Sequence, residues 1–154
     1  MQRVAIIKKK LWKWILTNAK KSYPNECTGI LVGQIGDLKR IKGFIIVDVI
    51  PCKNVADEKR NSSRIAKIEE RRATKIIKEE RKIYGKLIRG HYHSHPYTGC
   101  PFISDTDRRT GVKIKRYQYQ IIVGIKKHKN KFVIKSCFWW LEDKIWYQCK
   151  INVS

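Results

Sequence analysis

The residues of this chain whose types and spacing could do chemistry are two histidines, an aspartate downstream of them and a glutamate far upstream. His93 and His95 flank a single serine and precede a proline. On a β-strand, residues i and i+2 project to the same face, so both imidazoles can converge on one cation. Asp107 offers a third ligand and leaves a fourth tetrahedral position for water, as in catalytic zinc sites. Glu26 would then handle the proton of that water, and we interpret the chain as a zinc hydrolase.

Two segments carry a family resemblance. The sequence PNECTGILVG at 24–33 resembles the Pro-x-Glu-x-x-Gly-x-Leu-x-Gly segment of the JAMM (MPN-plus) metalloproteases. GHYHSHP at 90–96 resembles that family's Gly-Trp-Tyr-His-Ser-His-Pro strand end, and Gly99-Cys100 and the Ser-x-x-Asp of Ser104 and Asp107 match the rest. The order of the segments fits from about Val4 to Trp146, so the resemblance covers nearly the whole chain.

The resemblance implies a compact, prokaryotic or archaeal type of JAMM protease. It predicts a single domain over 1–154 with a cytidine-deaminase-like α/β fold, in which a mixed sheet is flanked by helices. It also implies one zinc ion per chain, held by His93, His95 and Asp107, and hydrolysis of peptide or isopeptide bonds beside ubiquitin-like proteins. Glu26 takes the role of general base, and Ser104 that of the serine that hydrogen-bonds the developing oxyanion.

The sequence departs from the family pattern at two places. Eleven residues separate His95 from Asp107, where the family has ten, and the extra residue falls within 101–103. Because Ser-x-x-Asp keeps its internal spacing, we align Asp107 and treat Asp105 as its competitor. The second departure is His91, which stands where the family has tryptophan. At ~3.3 Å per residue it lies roughly 13 Å from His95 along the strand, too far to share one ion, so it is predicted to be a neighbour of the site.

Each of these residues also has a simpler interpretation. The histidines could be two hydrogen-bonded strand residues, and Glu26 an exposed loop acid. Ser104 and Asp107 also have the spacing of a capping box, with serine at the N-cap and an acid three residues on. Asp107 can be both a capping residue and a metal ligand. For Ser104, a role as helix N-cap is an alternative to hydrogen-bonding the oxyanion.

Apolar periodicity predicts the elements that must position these side chains. A helix over 8–21 precedes Glu26, a strand over 86–93 delivers the histidines, and a loop over 97–103 leads to a short helix that begins at Ser104 and ends near Gly111. A second amphipathic helix is predicted from a cap at 61–63 to Gly85. Turns are predicted at Gly36-Asp37, at 128–130 and at Glu142-Asp143. The other strands are predicted over 3–7, 28–34, 39–50, 118–125, 131–141 and 144–150.

Composition and charge restrict the class of protein. At 42% hydrophobic and 10% aromatic residues the chain has the composition of a globular protein. No window approaches the ~20 apolar residues of a membrane span, and the N-terminus lacks the order of a signal peptide, so we expect a cytoplasmic location without membrane contact. Five cysteines without a Cys-x-x-Cys pair argue against a disulfide framework. One of them, Cys100, borders the predicted site.

The net charge of +22 predicts a polyanionic or acidic partner. No acidic residue occurs between Asp107 and Glu142. We expect an acidic ubiquitin-like or sulfur-carrier protein as substrate, docked partly on the basic stretch from Arg108 to Lys135, with nonspecific nucleic-acid binding beside it. Two alternatives are a basic nucleic-acid-binding module and a noncatalytic MPN scaffold, each with a vestigial zinc site.

Overall fold

Seven β-strands form one closed ring in a computed structural model, which describes residues 2–52, 71–80 and 85–154. The strands are β1 (Gln2–Ile7), β2 (Thr28–Leu38), β3 (Ile41–Cys52), β4 (Ile88–His95), β5 (Tyr119–His128), β6 (Lys131–Glu142) and β7 (Ile145–Val153). The helices are α1 (Lys9–Ser22), α2 (71–80) and α3 (Asp105–Lys113), with a 3₁₀ turn at Lys115–Gln118. None of the helices in these ranges is long and apolar enough to span a membrane.

The strands follow the order β1-β3-β2-β4-β5-β6-β7. The pairs β1–β3 and β4–β5 are parallel and the hairpin pairs are antiparallel, so the sheet is mixed. Parallel pairing of β1 with β7, from Val4 beside Lys150 to Ile7 beside Val153, joins the two edges. The prediction of a helix-flanked, cytidine-deaminase-like α/β sheet is therefore wrong. The described part of the chain is mostly a β-barrel with few helices. The barrel is closed because β1 and β7, which would otherwise be the free edges of the sheet, pair with each other.

The helix α1 packs one apolar side against the main core. Leu11, Ile15 and Ala19 recur at helical spacing and are buried with strand residues such as Phe44 and Ile125. Tyr23 follows as the C-cap, after the basic last turn. The prediction of a helix over 8–21 is confirmed, and its end fixes where the segment that contains Glu26 begins.

A smaller cluster covers the opposite side of β2 and β3. Ala73, Ile76 and Ile77 of α2 pack there against Ile30 and Ile50. This confirms residues 71–80 as part of the predicted amphipathic helix. The predicted cap at 61–63 lies outside the described residues.

Tight turns join the hairpins. The turn predicted at Gly36-Asp37 is wrong, because β2 continues to Leu38 and the chain reverses at Lys39 and Arg40, whose φ angles are 43° and 53°. Two consecutive positive φ values also occur at Lys129-Asn130, within the turn predicted at 128–130, and at Asp143-Lys144, one residue beyond the turn predicted at Glu142-Asp143. Two-residue turns of this kind match the right-handed twist of paired strands.

Candidate metal centre

Strand β4 positions the two histidines. It lies between β2 and β5, with Thr28 beside His93 and Gly124 beside His95. Because side chains alternate along the strand, both imidazoles project to one face. His93 is 7% exposed and His95 is half-buried, so the face is largely shielded from solvent but open at the carboxyl end of β4.

Helix α3 brings Asp107 to the histidines. Ser104 is the N-cap, and its Oγ accepts the Asp107 N–H at 3.1 Å, while Asp107 Oδ2 accepts the Ser104 N–H at 3.3 Å. This capping box fixes the Asp107 carboxylate at the helix start. The same Oδ2 atom lies 3.2 Å from His93 Nε2, so the cap also orients the carboxylate toward the site. Asp105 is exposed and lies outside this group.

The three donor atoms have separations close to those of ligands around a tetrahedral zinc ion. His93 Nε2 lies 3.0 Å from His95 Nε2, and Asp107 Oδ2 lies 3.2 Å and 3.4 Å from these two nitrogens. Ligands at 2.0–2.1 Å from a tetrahedral zinc ion are about 3.3–3.4 Å apart. Two imidazoles and one carboxylate are also a donor set that zinc accepts. The residues present therefore fit one zinc ion.

Hydrogen bonds set the protonation of the group. His95 Nδ1 lies 3.0 Å from the Cys100 carbonyl oxygen, and donation to that oxygen leaves the Nε2 lone pair for a metal. Burial lowers the pKa of His95, but the hydrogen bonds to Asp107 and to the Cys100 carbonyl outweigh it and raise that pKa. Burial likewise raises the pKa of Asp107, yet hydrogen bonds with both histidines hold it well below its usual range. Asp107 is thus an anion at neutral pH.

His93 lacks the outer partner that His95 has. Its Nδ1 is buried and finds no hydrogen-bond partner within the described ranges. The neighbouring His91 contacts the His93 ring at a centroid distance of 5.3 Å and the Tyr117 ring at 4.2 Å. Burial, with the charges of His93 and Arg116, lowers the pKa of His91 well below its usual value. His91 is therefore a neutral neighbour that lies outside the donor group.

An open cleft of about 400 Å³ lies beside the donor group. Its lining brings Glu26 and Ser104, the two predicted catalytic residues, together with His95. The described residues that line it are Glu26, His95, Tyr97, Thr98, Cys100, Phe102 and Ser104. All five residues predicted for the site are thus gathered at one end of β4, with Glu26 and Ser104 exposed to the solvent of the cleft.

Ser94 fixes the segment that carries Glu26, a function that the sequence analysis missed. Its Oγ accepts the Cys27 N–H at 2.8 Å, and its own N–H donates to the Cys27 carbonyl at 3.1 Å. The signal was present, because the residue between two same-face histidines projects to the other face, and a buried serine there must find a partner inside the protein.

The loop that contains the extra residue relative to the JAMM pattern is anchored on both sides of Phe102. Trp139 Nε1 donates to the Pro101 carbonyl at 2.8 Å, and Ile103 is buried against Ile122 and Trp139. Phe102 lies between these anchors and is 59% exposed. The backbone that follows reaches Ser104 and the start of α3, where Asp107 lies beside both histidines.

Two histidines at a strand end and an aspartate at a helix start define a candidate metal centre. Glu26 lies in the adjoining cleft. The model of a family described as prokaryotic homologs of the JAB domain matches residues 8–140. This is most of the chain, which therefore belongs to that family.

Similarity to solved structures concerns the fold. The solution structure of protein DSY2949 from Desulfitobacterium hafniense is 20% identical, with a TM-score of 0.57. The alignment covers 98% of this chain and 92% of that one. None of the curated proteins with which the chain was compared matches it.

Proposed function

We propose that this chain is a zinc-dependent peptidase or isopeptidase that cleaves the amide bond after the C-terminal tail of a ubiquitin-like modifier or sulfur-carrier protein. The observation that carries the proposal is the placement of three metal-donor atoms, 3.0–3.4 Å apart, beside a cleft that also contains Glu26 and Ser104. Membership of the prokaryotic JAB family is compatible with a metalloprotease, and the motifs at 24–33, 90–96 and 104–107 resemble those of the JAMM proteases.

His93, His95 and Asp107 would hold the ion. Zinc at this position would supply Lewis acidity and would lower the pKa of a bound water toward neutrality, so that a nucleophile would be available at neutral pH. The Cys100 carbonyl keeps His95 in the tautomer that a metal requires, and the capping box keeps Asp107 oriented. These two contacts prearrange the ligands before a substrate arrives.

Glu26 moves the protons of the reaction. Its carboxylate accepts a proton from the attacking water and returns it to the leaving amine, which is too basic to depart as an anion. The exposed position of Glu26 on the cleft suits both transfers. Ser104 Oγ already accepts the Asp107 N–H, so the hydroxyl proton remains for donation to the developing oxyanion.

The shape and lining of the cleft suit an extended, uncharged segment. Tyr97 and Phe102 are exposed aromatic residues on its walls, and none of the described residues that line it is a lysine or arginine. A Gly-Gly tail can lie between these walls because it has no side chains that would clash with them. The resemblance to the JAMM proteases favours a ubiquitin-like protein as the source of such a tail.

The test is cleavage of isopeptide-linked and linear fusions of a Gly-Gly-tailed modifier by the zinc-loaded chain. Glu26→Gln should retain zinc and lose about 10²- to 10⁴-fold in turnover, because a positioned proton carrier contributes that much. Glu79→Gln is the matched control, since Glu79 is an exposed acid in α2, and it should leave turnover unchanged. Near-normal turnover in Glu26→Gln would place the base elsewhere, and failure of the wild-type chain to cleave any fusion would favour a noncatalytic scaffold.

A further inference from the structure

The hairpin of β5 and β6 presents one strongly basic face. Directly opposed residues of an antiparallel pair share a face, and successive pairs alternate. Gly124 pairs with Lys135, Lys126 with Val133, and His128 with Lys131, so these pairs lie on one side of the hairpin. We call the five side chains of these pairs the hairpin face: Lys126, His128, Lys131, Val133 and Lys135. All five are exposed, Val133 to 50%.

The other side of the same hairpin is packed. Ile125 belongs to the main core, and Phe132 and Ile134 pack against it. Lys127 lies over the Phe132 ring, 5.5 Å from its centroid. The apolar residues therefore fix the hairpin on the body of the protein, and the hairpin face is held as a rigid surface toward solvent.

The hairpin face is continuous with a wall of the cleft. The backbone of Gly99 and Cys100 occupies the space where a Cβ on Gly124 would lie, and a Cβ on Gly99 would lie 3.0 Å from that of Lys126. The same loop provides Thr98 and Cys100 to the cleft lining. Whatever occupies the cleft therefore has the hairpin face beside it, at a separation that the packing of the loop on β5 fixes.

Charge differs sharply between the two surfaces. The hairpin face carries three lysines and a histidine, and the sequence contains no acid between Asp107 and Glu142 to neutralise them. The cleft has no cationic residue within the described part of its lining and contains Glu26. No lysine or arginine among the described lining residues would pair with a phosphate backbone along the cleft walls. An uncharged tail attached to an acidic body would match both surfaces.

We propose that the hairpin face is the docking surface for the acidic folded body of the substrate, whose uncharged tail enters the cleft. The proposal rests on the proposed peptidase function and adds where the substrate is held. Half-exposed Val133 gives the patch an apolar centre among its cations, as protein–protein interfaces have. Charge complementarity at such a surface chiefly accelerates encounter and selects the partner.

The experiment compares three test substrates. They are an acidic β-grasp domain with a Gly-Gly tail, the same domain with its surface carboxylates changed to amides, and the free tail peptide. The variant is K131E/K135E, and the matched control is K9E/K13E, which makes the same charge change at exposed positions of α1. The ratio of kcat/KM for the acidic fusion to that for the free peptide should fall about ten-fold in K131E/K135E at low salt. The control K9E/K13E should leave this ratio unchanged. The corresponding ratio for the amidated domain should be the same in K131E/K135E as in the wild type. At about 0.15 M salt, the effect of K131E/K135E on the acidic fusion should be smaller.

A binding measurement separates failure of the docking surface from failure of the peptidase assignment. Fluorescence anisotropy gives the Kd of the acidic domain without any turnover, and it should weaken about ten-fold in K131E/K135E alone. If no substrate is cleaved but this pattern appears, the docking surface stands and the peptidase assignment fails. Equal losses in both double variants, or no loss in either, would overturn the docking surface. Tight, sequence-selective binding of single-stranded DNA that depends on Lys131 and Lys135, and that the acidic domain cannot displace, would also overturn it and would favour the nucleic-acid module.

Discussion

At the scale of single residues, the strand end His93-Ser94-His95 makes functional contacts on both faces of β4. The histidines project toward Asp107, and Ser94 projects to the opposite face, where it holds Cys27. Cys27 is the residue next to Glu26, so one tripeptide fixes both the metal donors and the segment that carries the proposed base. The alternation of side chains along a strand is what makes this division possible.

Ser94→Ala should uncouple these two surfaces. Removing Oγ leaves the buried Cys27 N–H without its acceptor, which costs about 1–3 kcal/mol in the free energy of unfolding. Turnover should also fall while zinc is retained, because Glu26 loses its fixed position. Urea unfolding and cleavage kinetics measure the two effects.

Ser22→Ala is the control for Ser94→Ala. Ser22 is half-buried at the end of α1, and its Oγ makes a long bond of 3.4 Å to Asn18. Its loss should change stability by no more than about 0.5 kcal/mol. Equal stability of the two variants, with normal cleavage in both, would show that Ser94 positions nothing.

The side chains of the site could be predicted from the sequence, but the atoms that orient them could not. His93, His95 and Asp107 have a spacing that indicates their convergence, and the structure brings them together. The carbonyl of Cys100 orients His95, yet a backbone oxygen has no identity in a sequence. The sequence places Cys100 beside the site, and in the structure it contributes its backbone carbonyl.

At the scale of elements, the site depends on how the loop over 96–104 packs on β5 and β6. Trp139 anchors the loop at Pro101, and Gly124 lets the backbone of Gly99 and Cys100 approach the sheet. Only a residue without a Cβ permits this approach. The metal site therefore requires a glycine at position 124, although Gly124 is not itself a metal ligand.

Gly124→Ala should displace the loop. The new methyl group would collide with the Gly99 carbonyl, and forced backbone shifts of this kind cost about 1–3 kcal/mol of stability. The Cys100 carbonyl would move with the loop, and zinc affinity should fall about 10- to 100-fold, as it does when an outer partner of a ligating histidine is lost. Zinc titration against a competing chelator measures the affinity.

Gly43→Ala is the matched control for this strand glycine. Its nearest neighbours would lie 3.6 Å from the new Cβ, which is an ordinary contact. We expect unchanged zinc affinity and a small change in stability. The account of the loop would be wrong if Gly124→Ala bound zinc as tightly as Gly43→Ala.

The elements were predictable where periodicity and turn chemistry agreed. The strands at the hairpins of β5, β6 and β7 were found because Asn130 and Asp143 mark their turns. The turn between β2 and β3 was misplaced, since Gly36-Asp37 has the residues of a turn but lies within β2. The true turn uses Lys39 and Arg40 at positive φ, which nothing in the residue types indicates.

At the scale of the whole molecule, ring closure was not predictable from the chain. An apolar alternation identifies a strand but not its neighbours, and the β1–β7 pair joins residues at opposite ends of the described chain. The resemblance led instead to a helix-flanked sheet. The excess of lysine was plain in the sequence. The placement of Lys126, Lys131 and Lys135 on one face of a hairpin followed only from the β5–β6 register.

The measurement that tests the central claim most directly is the zinc content of three gently purified proteins: the wild type, Asp107→Asn and Asp105→Asn. We predict about one zinc ion per chain in the wild type and in Asp105→Asn, because all three ligands are intact there. Asp107→Asn should lose most of its zinc, since only His93 and His95 remain as strong ligands. A wild-type chain that neither contains nor retains added zinc would contradict the metal centre. Greater loss in Asp105→Asn than in Asp107→Asn would contradict the assignment of its third ligand.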